Sequence, residues 1–309
     1  MEIFLQQILN GLVLGSVYAL VALGYTMVYG IIGLINFAHG EVVMVGAMIT
    51  ISMLTMFSAM GIQLPGVVVL LMAMMISVPA CMILAYFMEK VAYRPLRKAQ
   101  KLAPLITAIG ISIILQNLAM MIWGRGFKSF PGVIDVEPID FMGATVTNLQ
   151  IAIMIVAVLM MLGLWFLVEK TKLGKAMRAT AVNQEVAGLM GISINHIISM
   201  TFVVGAGLGA IAGVMRAANY GQADAYMGAI LGLKAFSAAV LGGIGNIFGA
   251  MAGGILLGVI ESLAAGYIGD LTGGFLGSHY QDIFAFIVLI LVLVFRPSGL
   301  LGERVAERA

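Results

Sequence analysis

The sequence predicts an all-α, polytopic membrane bundle of about eight or nine transmembrane segments, some of them broken. Three observations predict it. Hydrophobic residues make up 62% of the chain and charged residues 10%, where soluble domains hold about 45–50% and about 25%. Several windows run close to the ~20 apolar residues that cross ~30 Å of hydrocarbon, and the mean hydropathy is +1.10. The links between these windows are short almost everywhere, as suits helices that satisfy their own backbone hydrogen bonds in lipid.

Hydropathy places the spans near 8–32, 42–60, 64–88, 102–123, 149–168, 197–217, 229–245, 247–268 and 280–296. Two stretches resist a plain helical reading. Asn36, Phe37, His39 and Glu41 form a polar patch at the head of the second span, and Gly242, Gly243, Gly245 and Asn246 interrupt a later apolar run. Polar backbone at membrane depth is tolerated where it is buried in protein or lines a cavity. Asn36, Phe37, His39, Glu41, Gly243, Gly245 and Asn246 are therefore candidates for broken helices near a pathway. Asn36 could equally cap the span that follows it, and His39 and Glu41 could sit hydrated at an interface.

Orientation follows from Lys and Arg, which concentrate on the cytoplasmic side. Lys90, Arg94, Arg97, Lys98 and Lys101 lie between the third and fourth spans; Lys170, Lys172, Lys175 and Arg178 follow the fifth; Arg296, Arg304 and Arg308 follow the last. An alternating nine-span count puts all three segments on one side, with the C-terminus cytoplasmic and the N-terminus outside. The longest opposite loop, about 124–148, carries Asp135, Glu137 and Asp140. Met1-Glu2-Ile3-Phe4 has no basic n-region and no small-residue cleavage site follows, so residues 1–30 are expected in the mature chain.

Close helix packing in lipid relies on small residues. Gly205, Gly209 and Gly213 recur every fourth residue, as do Gly245, Gly249 and Gly253, with a shorter version at Gly11 and Gly15. The 24 methionines are scattered without a repeated spacing and read as adaptable filler. Cys81, the only cysteine, lies in an apolar run and can form no internal disulfide. Intramembrane charges are the exceptions that ask for a reason. Lys234 and Glu261 are a candidate intramembrane pair, explained equally by structure and by transport.

Chemistry is sparse. Gly174-Lys175 is followed by Ala176, with no glycine five residues earlier, so there is no phosphate-binding P-loop. No His-Glu-x-x-His or Gly-x-Ser-x-Gly pattern occurs. His39 and Glu41, two residues apart, project about 200° apart on a helix and suit a shared metal poorly; His196 and His279 fall at span ends. No catalytic residue and no metal site is expected. A net charge of +2 suggests no nucleic-acid partner.

The segment about 170–196 is the most informative outside the spans. Val182, Val186, Leu189 and Met190 follow helical spacing, predicting a short amphipathic helix over 182–191 that Gly191 ends as a left-handed cap. Such a helix could lie on the membrane surface or dock into a partner's groove. Glu185-Val186-Ala187-Gly188-Leu189-Met190-Gly191 is similar to the Glu-Ala-Ala-x-x-x-Gly loop of bacterial ABC importer permeases, with Glu185, Ala187 and Gly191 matching and Val186 departing. Further stretches, from Asn10-Gly11 through Gly15-Ser16-Val17-Tyr18-Ala19-Leu20, Gly24-Tyr25-Thr26-Met27-Val28-Tyr29-Gly30 and Ile35-Asn36-Phe37-Ala38-His39-Gly40-Glu41, extend the likeness. So do Glu89-Lys90-Val91-Ala92-Tyr93-Arg94-Pro95-Leu96-Arg97 and Ala239-Val240-Leu241-Gly242-Gly243-Ile244-Gly245. Over nearly its full length the chain resembles the high-affinity branched-chain amino-acid permeases of the LivH type.

The resemblance implies ABC importer permease architecture in one transmembrane domain over 1–309, and a machine rather than a lone protein. Its parts are a homologous second permease, two cytoplasmic ATPases that use ATP and Mg, and a periplasmic amino-acid binding protein, all in the bacterial inner membrane with its lipid or beside it. Leucine, isoleucine and valine are the implied substrates, and Glu185, Ala187 and Gly191 the implied coupling residues. No cofactor is expected on this chain itself. A permease of the same family for urea, short amides or other amino acids would share these features, and a self-sufficient secondary carrier is the rival from another class.

Overall fold

The computed structural model describes residues 2–97, 99–100, 102–141, 143–273, 275 and 280–302. Lys98, Lys101, His279, Arg304 and Arg308, which entered the sequence reading, lie outside the described residues. In chain order the elements are α1 (Glu2–Ile32), α2 (His39–Ala59), α3 (Gly66–Met88), α4 (Leu102–Trp123), β1 (Lys128–Ser129), β2 (Pro138–Phe141), β3 (Ala144–Thr147) and α5 (Asn148–Lys170). There follow α6 (Lys172–Val182), α7 (Gln184–Leu189), α8 (Ile194–Tyr220), β4 (Gln222–Ala223), α9 (Met227–Gly242), α10 (Ile247–Leu271) and α11 (Gln281–Phe295). The strands make two small antiparallel pairs, β1 with β4 and β2 with β3.

Among the described residues, α1, α2, α3 with the turns extending it, α4, α5, α8 and α10 are long and apolar enough to cross a bilayer. The apolar helices α9 and α11 have 16 and 15 residues, about 24 Å at most at 1.5 Å per residue. Together these helices fall where the spans are expected, with α9 cut short by the turn that opens at Gly243, where φ is +107°.

The chain divides into two compact units: Met1–Thr26, Val136–Met161 and Lys234–Ala309 form one, and Met27–Asp135 with Leu162–Leu233 the other. In the second unit α2 packs on α3 and α8. A Cβ at Gly46 would lie 2.7 Å from the Ala210 Cα, and one at Gly213 would run into the Val43 carbonyl. On the α3 side, Thr50 Oγ1 donates to Ser77 Oγ at 2.8 Å, and the buried Cys81 thiol points at the Val42 carbonyl. Met44, Met48 and Ile51 form a core with Ala217 and Met227, the methionines filling space between unevenly spaced helices.

These contacts rank two glycines. Gly213→Ala forces a methyl into main chain that cannot move aside. Gly209→Ala meets only side chains, Val43 Cγ2 at 3.2 Å and His39 Cε1 at 3.3 Å. Gly213→Ala should cost about 1–3 kcal/mol by overpacking, and Gly209→Ala less. Thermal unfolding in detergent reads the difference, and equal melting would contradict the backbone contact as its cause.

In the first unit Gly11, Gly15 and Ala19 of α1 meet Ser262, Gly258 and Gly254 of α10. The order runs oppositely along the two helices, so they cross antiparallel through a ridge of small residues. Gly249 and Gly253 pack α10 on the end of α9, against Gly242. Gly245 does not continue that ladder, contrary to its spacing: it lies in the turn before α10 with φ +96°. The Asn246 side chain accepts from Gly249 N–H at 3.0 Å and starts the helix one residue later. Its Nδ2 also donates to the Leu301 carbonyl at 2.8 Å. The N–H groups of Leu300 and Leu301 each reach an otherwise orphaned carbonyl at the end of α9, Leu241 and Gly242, at 2.9 Å. The β2–β3 hairpin is tied to α1 by Gln6, which exchanges two hydrogen bonds with the Thr145 backbone.

Candidate functional site

The head of α2 concentrates the first set of predicted residues. Gly33 turns left-handed at φ +68° after α1, and α2 restarts at His39 without a side-chain cap. Asn36 does not cap it. The Tyr93 hydroxyl holds Asn36 Oδ1 at 2.6 Å, and only the Asn36 carbonyl meets the His39 N–H, at 2.9 Å. Phe37 is half-buried, whereas Asn36, His39 and Glu41 are buried rather than hydrated. His39 turns towards Gly209 of α8. Glu41 turns instead to α4, where Ser112 Oγ and Gln116 Nε2 both donate to its Oε1 at 2.9 Å. The two side chains diverge, as their spacing dictates. Gly40 and Gly228 let the start of α9 approach until a Cβ on Gly228 would sit 2.8 Å from Glu41 Oε2.

Lys234 and Glu261 come together in the first unit. Lys234 Nζ lies 2.6 Å from Glu261 Oε1 and 2.8 Å from Asp282 Oδ1. The Tyr18 hydroxyl donates to Glu261 Oε2 at 3.0 Å and Gln281 Nε2 to Oε1 at 3.2 Å. The Lys234 ammonium also sits 5.8 Å from the centre of the Tyr18 ring. One cation therefore ties α9 to α10 and α11, while α1 adds a hydroxyl.

The segment after α5 is two helices where the sequence predicts one over 182–191. Thr171 caps α6 through Gly174 N–H, and Val182 ends that helix. Asn183 is extended (φ −158°), and its side chain accepts from Glu185 N–H and Val186 N–H at 3.0 Å, starting α7. A residue whose side chain competes for backbone N–H groups breaks the helix there. Ala187 is buried and Glu185 exposed. The apolar stripe faces outward, with Val182 88%, Leu189 84% and Met190 79% exposed. Gly191 is left-handed at φ +84°, its N–H bonded to Gly188 O and that of Ile192 to Ala187 O. Gln184 Nε2 donates to the Ile31 carbonyl at 2.9 Å, joining α7 to the end of α1.

A further cluster follows α3, where a π-turn (Glu89–Tyr93) runs into a 3₁₀ turn (Arg94–Leu96). Glu89 is fully buried and accepts from Arg94, Arg97 and the Ser199 hydroxyl of α8. Burial lowers the Arg97 pKa from its ordinary value, against the opposing pull of Glu89. Arg94 and Arg97 are thus partners of a buried carboxylate, not free surface charges. A cavity of about 10 Å³ beside Asn36, Tyr93, Arg97 and Phe202 is room for about one water, and far too small for an amino acid.

Sequence reading missed Ser112, Gln116, Tyr18, Gln281 and Asp282. A signal existed for Ser112 and Gln116, two polar residues four apart in an apolar span and so on one helix face. Nothing in the sequence joins Tyr18 or Asp282 to Lys234, because those partners come from distant segments. No group of three or more His, Cys, Asp or Glu positioned to hold a metal occurs among the described residues.

Comparison with known proteins then gives a consistent picture. The family described as branched-chain amino acid transport system / permease component matches residues 7–293. The high-affinity branched-chain amino acid transport system permease protein BraD of Pseudomonas aeruginosa is 45% identical over 312 residues, covering 99% of this chain and 98% of its own. LivH of Escherichia coli, described in the same words, is 41% identical over 309 residues, with 99% and 97% covered. The D-allose transport system permease protein AlsC of Escherichia coli is 26% identical over 167 residues, 52% of this chain and 50% of its own.

Proposed function

The chain belongs to the family of branched-chain amino acid transport system permease components, and on that premise we propose that it forms the route by which leucine, isoleucine and valine enter the cell in an ATP-driven importer. It is a multi-pass membrane transport subunit and not an enzyme. The observation that carries the reading is the near-complete coverage of both this chain and its relatives at 41–45% identity.

In this reading the chain works beside a homologous second permease, two cytoplasmic ATPases and a periplasmic binding protein. ATP and Mg are used on the ATPases, and this chain binds no cofactor. Glu185, Ala187 and Gly191 form the contact with an ATPase. The outward apolar stripe on α7 supports it, since large apolar side chains outside the spans ask for a partner surface. The turns around Asn36, Phe37, His39 and Glu41, and around Gly243, Gly245 and Asn246, are the broken-helix positions near the route. Two conformations of different stability then suffice for transport, and no reacting residue is required. Affinity purification of the tagged chain, expressed with its partners, should recover the ATPase. Its absence under conditions that keep the permease folded would contradict the assignment.

The chain sits in the bacterial inner membrane with the N-terminus outside and the C-terminus cytoplasmic. Cysteines placed beside Arg97 and Lys175 should label only from the cytoplasm, and one beside Asp135 only from outside. The native Cys81 is buried and keeps the background low. Labelling of all three positions from one side would contradict the nine-span orientation.

A further inference from the structure

Among the described residues three acidic side chains are buried, Glu41, Glu89 and Glu261. Glu89 is neutralised by Arg94 and Arg97, and Glu261 by Lys234. Glu41 has no Lys or Arg partner among the described residues, although it is fully buried. Its Oε1 is occupied by Ser112 and Gln116, while its Oε2 is buried with no hydrogen-bond partner among the described residues. A buried carboxylate oxygen in that state is costly until a donor reaches it.

Ser112 and Gln116 lie midway along α4 (Leu102–Trp123), so the Glu41 side chain meets that span near its middle. Glu41 sits in the first turn of α2. Gly40 and Gly228 put no side chain between Oε2 and the start of α9. Ser112 and Gln116 keep partial exposure, so the carboxylate lies one side chain in from an open face of α4. Both neighbours spend donors on Oε1, and Oε2 is left as a lone acceptor. A lone acceptor suits an N–H donor, not a metal ion that needs several oxygens around it. Ionisable groups at mid-membrane beside a helix break are where transport proteins hold a charged cargo.

We propose that Glu41 Oε2 receives the ammonium group of the amino acid in transit. This rests on the reading of the chain as an amino-acid permease and adds the residue and the chemistry of recognition to it. The hydrocarbon side chain of the cargo contributes no charge, so the ammonium is the feature that an unpaired carboxylate distinguishes.

The test uses the complete complex in lipid nanodiscs, with saturation-transfer NMR of three small probes: leucine, 3-methylbutylamine, which lacks the carboxylate, and 4-methylpentanoate, which lacks the amine. Leucine and the amine should bind the unaltered complex and the acid should not. Glu41→Gln should weaken both by about tenfold or more, as expected when one member of a buried charge pair is neutralised. Glu41→Asp, which keeps the charge, should restore amine binding that Glu41→Gln loses, a pattern that damage to packing would not give. Unchanged amine binding in Glu41→Gln overturns the proposal. So does Glu41-dependent binding of 4-methylpentanoate, or displacement of the amine by sodium or potassium. Leucine uptake is measured alongside: if the unaltered complex imports none, the permease reading fails, whereas normal uptake without Glu41-dependent amine binding defeats this inference alone.

Discussion

Lys234→Met should cost the folded state about 3–5 kcal/mol and remove most of the extractable protein, because it strands buried carboxylate charge. Among the described residues Lys234 is the one cation in contact with both Glu261 and Asp282. Glu261 is almost fully buried, and Tyr18 and Gln281 offer it hydrogen bonds without charge. Glu261→Gln should be milder, since Lys234 keeps Asp282 as a partner. The double change Lys234→Met with Glu261→Gln should recover part of the loss, leaving only Asp282, whose side chain is 40% exposed and can reach water. Fluorescence-detected size exclusion of heated samples gives the series. Additive losses would show that the lysine and the glutamate act independently, and that the cluster holds no energetic coupling.

Gly191→Val should have an effect of similar size on transport while sparing membrane insertion. Gly191 holds φ +84°, where a β-branched residue is strained by about 1–2 kcal/mol or more. The two hydrogen bonds that close α7, Gly191 N–H to Gly188 O and Ile192 N–H to Ala187 O, depend on that turn. Losing them unwinds a helix of only six residues and scatters Val186, Leu189 and Met190, the surface proposed for the ATPase. Glu185→Lys attacks the same contact by charge instead of shape. Both variants should reach the membrane in normal amounts and lose binding-protein-dependent uptake by about tenfold or more, an interface loss of about 1.4 kcal/mol or above. Gly191→Asn should retain part of the activity, because Asn tolerates the left-handed conformation. Normal uptake with normal ATPase retention in both variants would mean that α7 only rests on the membrane surface.

The long spans were legible because a 20-residue apolar run has few alternatives in a chain this poor in charge. The glycines and the amide at 242–246 mark an interruption in the apolar run, and α9 ends there, with Gly243 and Gly245 at positive φ. Local competition was harder to read. The 3.6-residue spacing of Val182, Val186, Leu189 and Met190 looked like one helix, but Asn183 spends its side chain on capping and divides it. Gly245 kept the four-residue spacing of Gly249 and Gly253 and still fell in a turn, because Asn246 starts α10 after it. Partners across long sequence separations were legible only where both were conspicuous. Lys234 with Glu261 was a pairing of two conspicuous charges, whereas Tyr18 and Asp282 had nothing to mark them. Glu41 was conspicuous, yet only the packing of α4 identified Ser112 and Gln116 as what surrounds it.

The most direct measurement of the central claim is leucine uptake into sealed vesicles that carry either this chain alone or the full set of permeases and ATPases, with ATP trapped on the ATPase side and binding protein on the other. Uptake is expected only from the full set, only with ATP, and only with binding protein present. Concentrative leucine uptake by this chain alone in ATP-free vesicles would contradict that claim, and would make the protein a self-sufficient carrier.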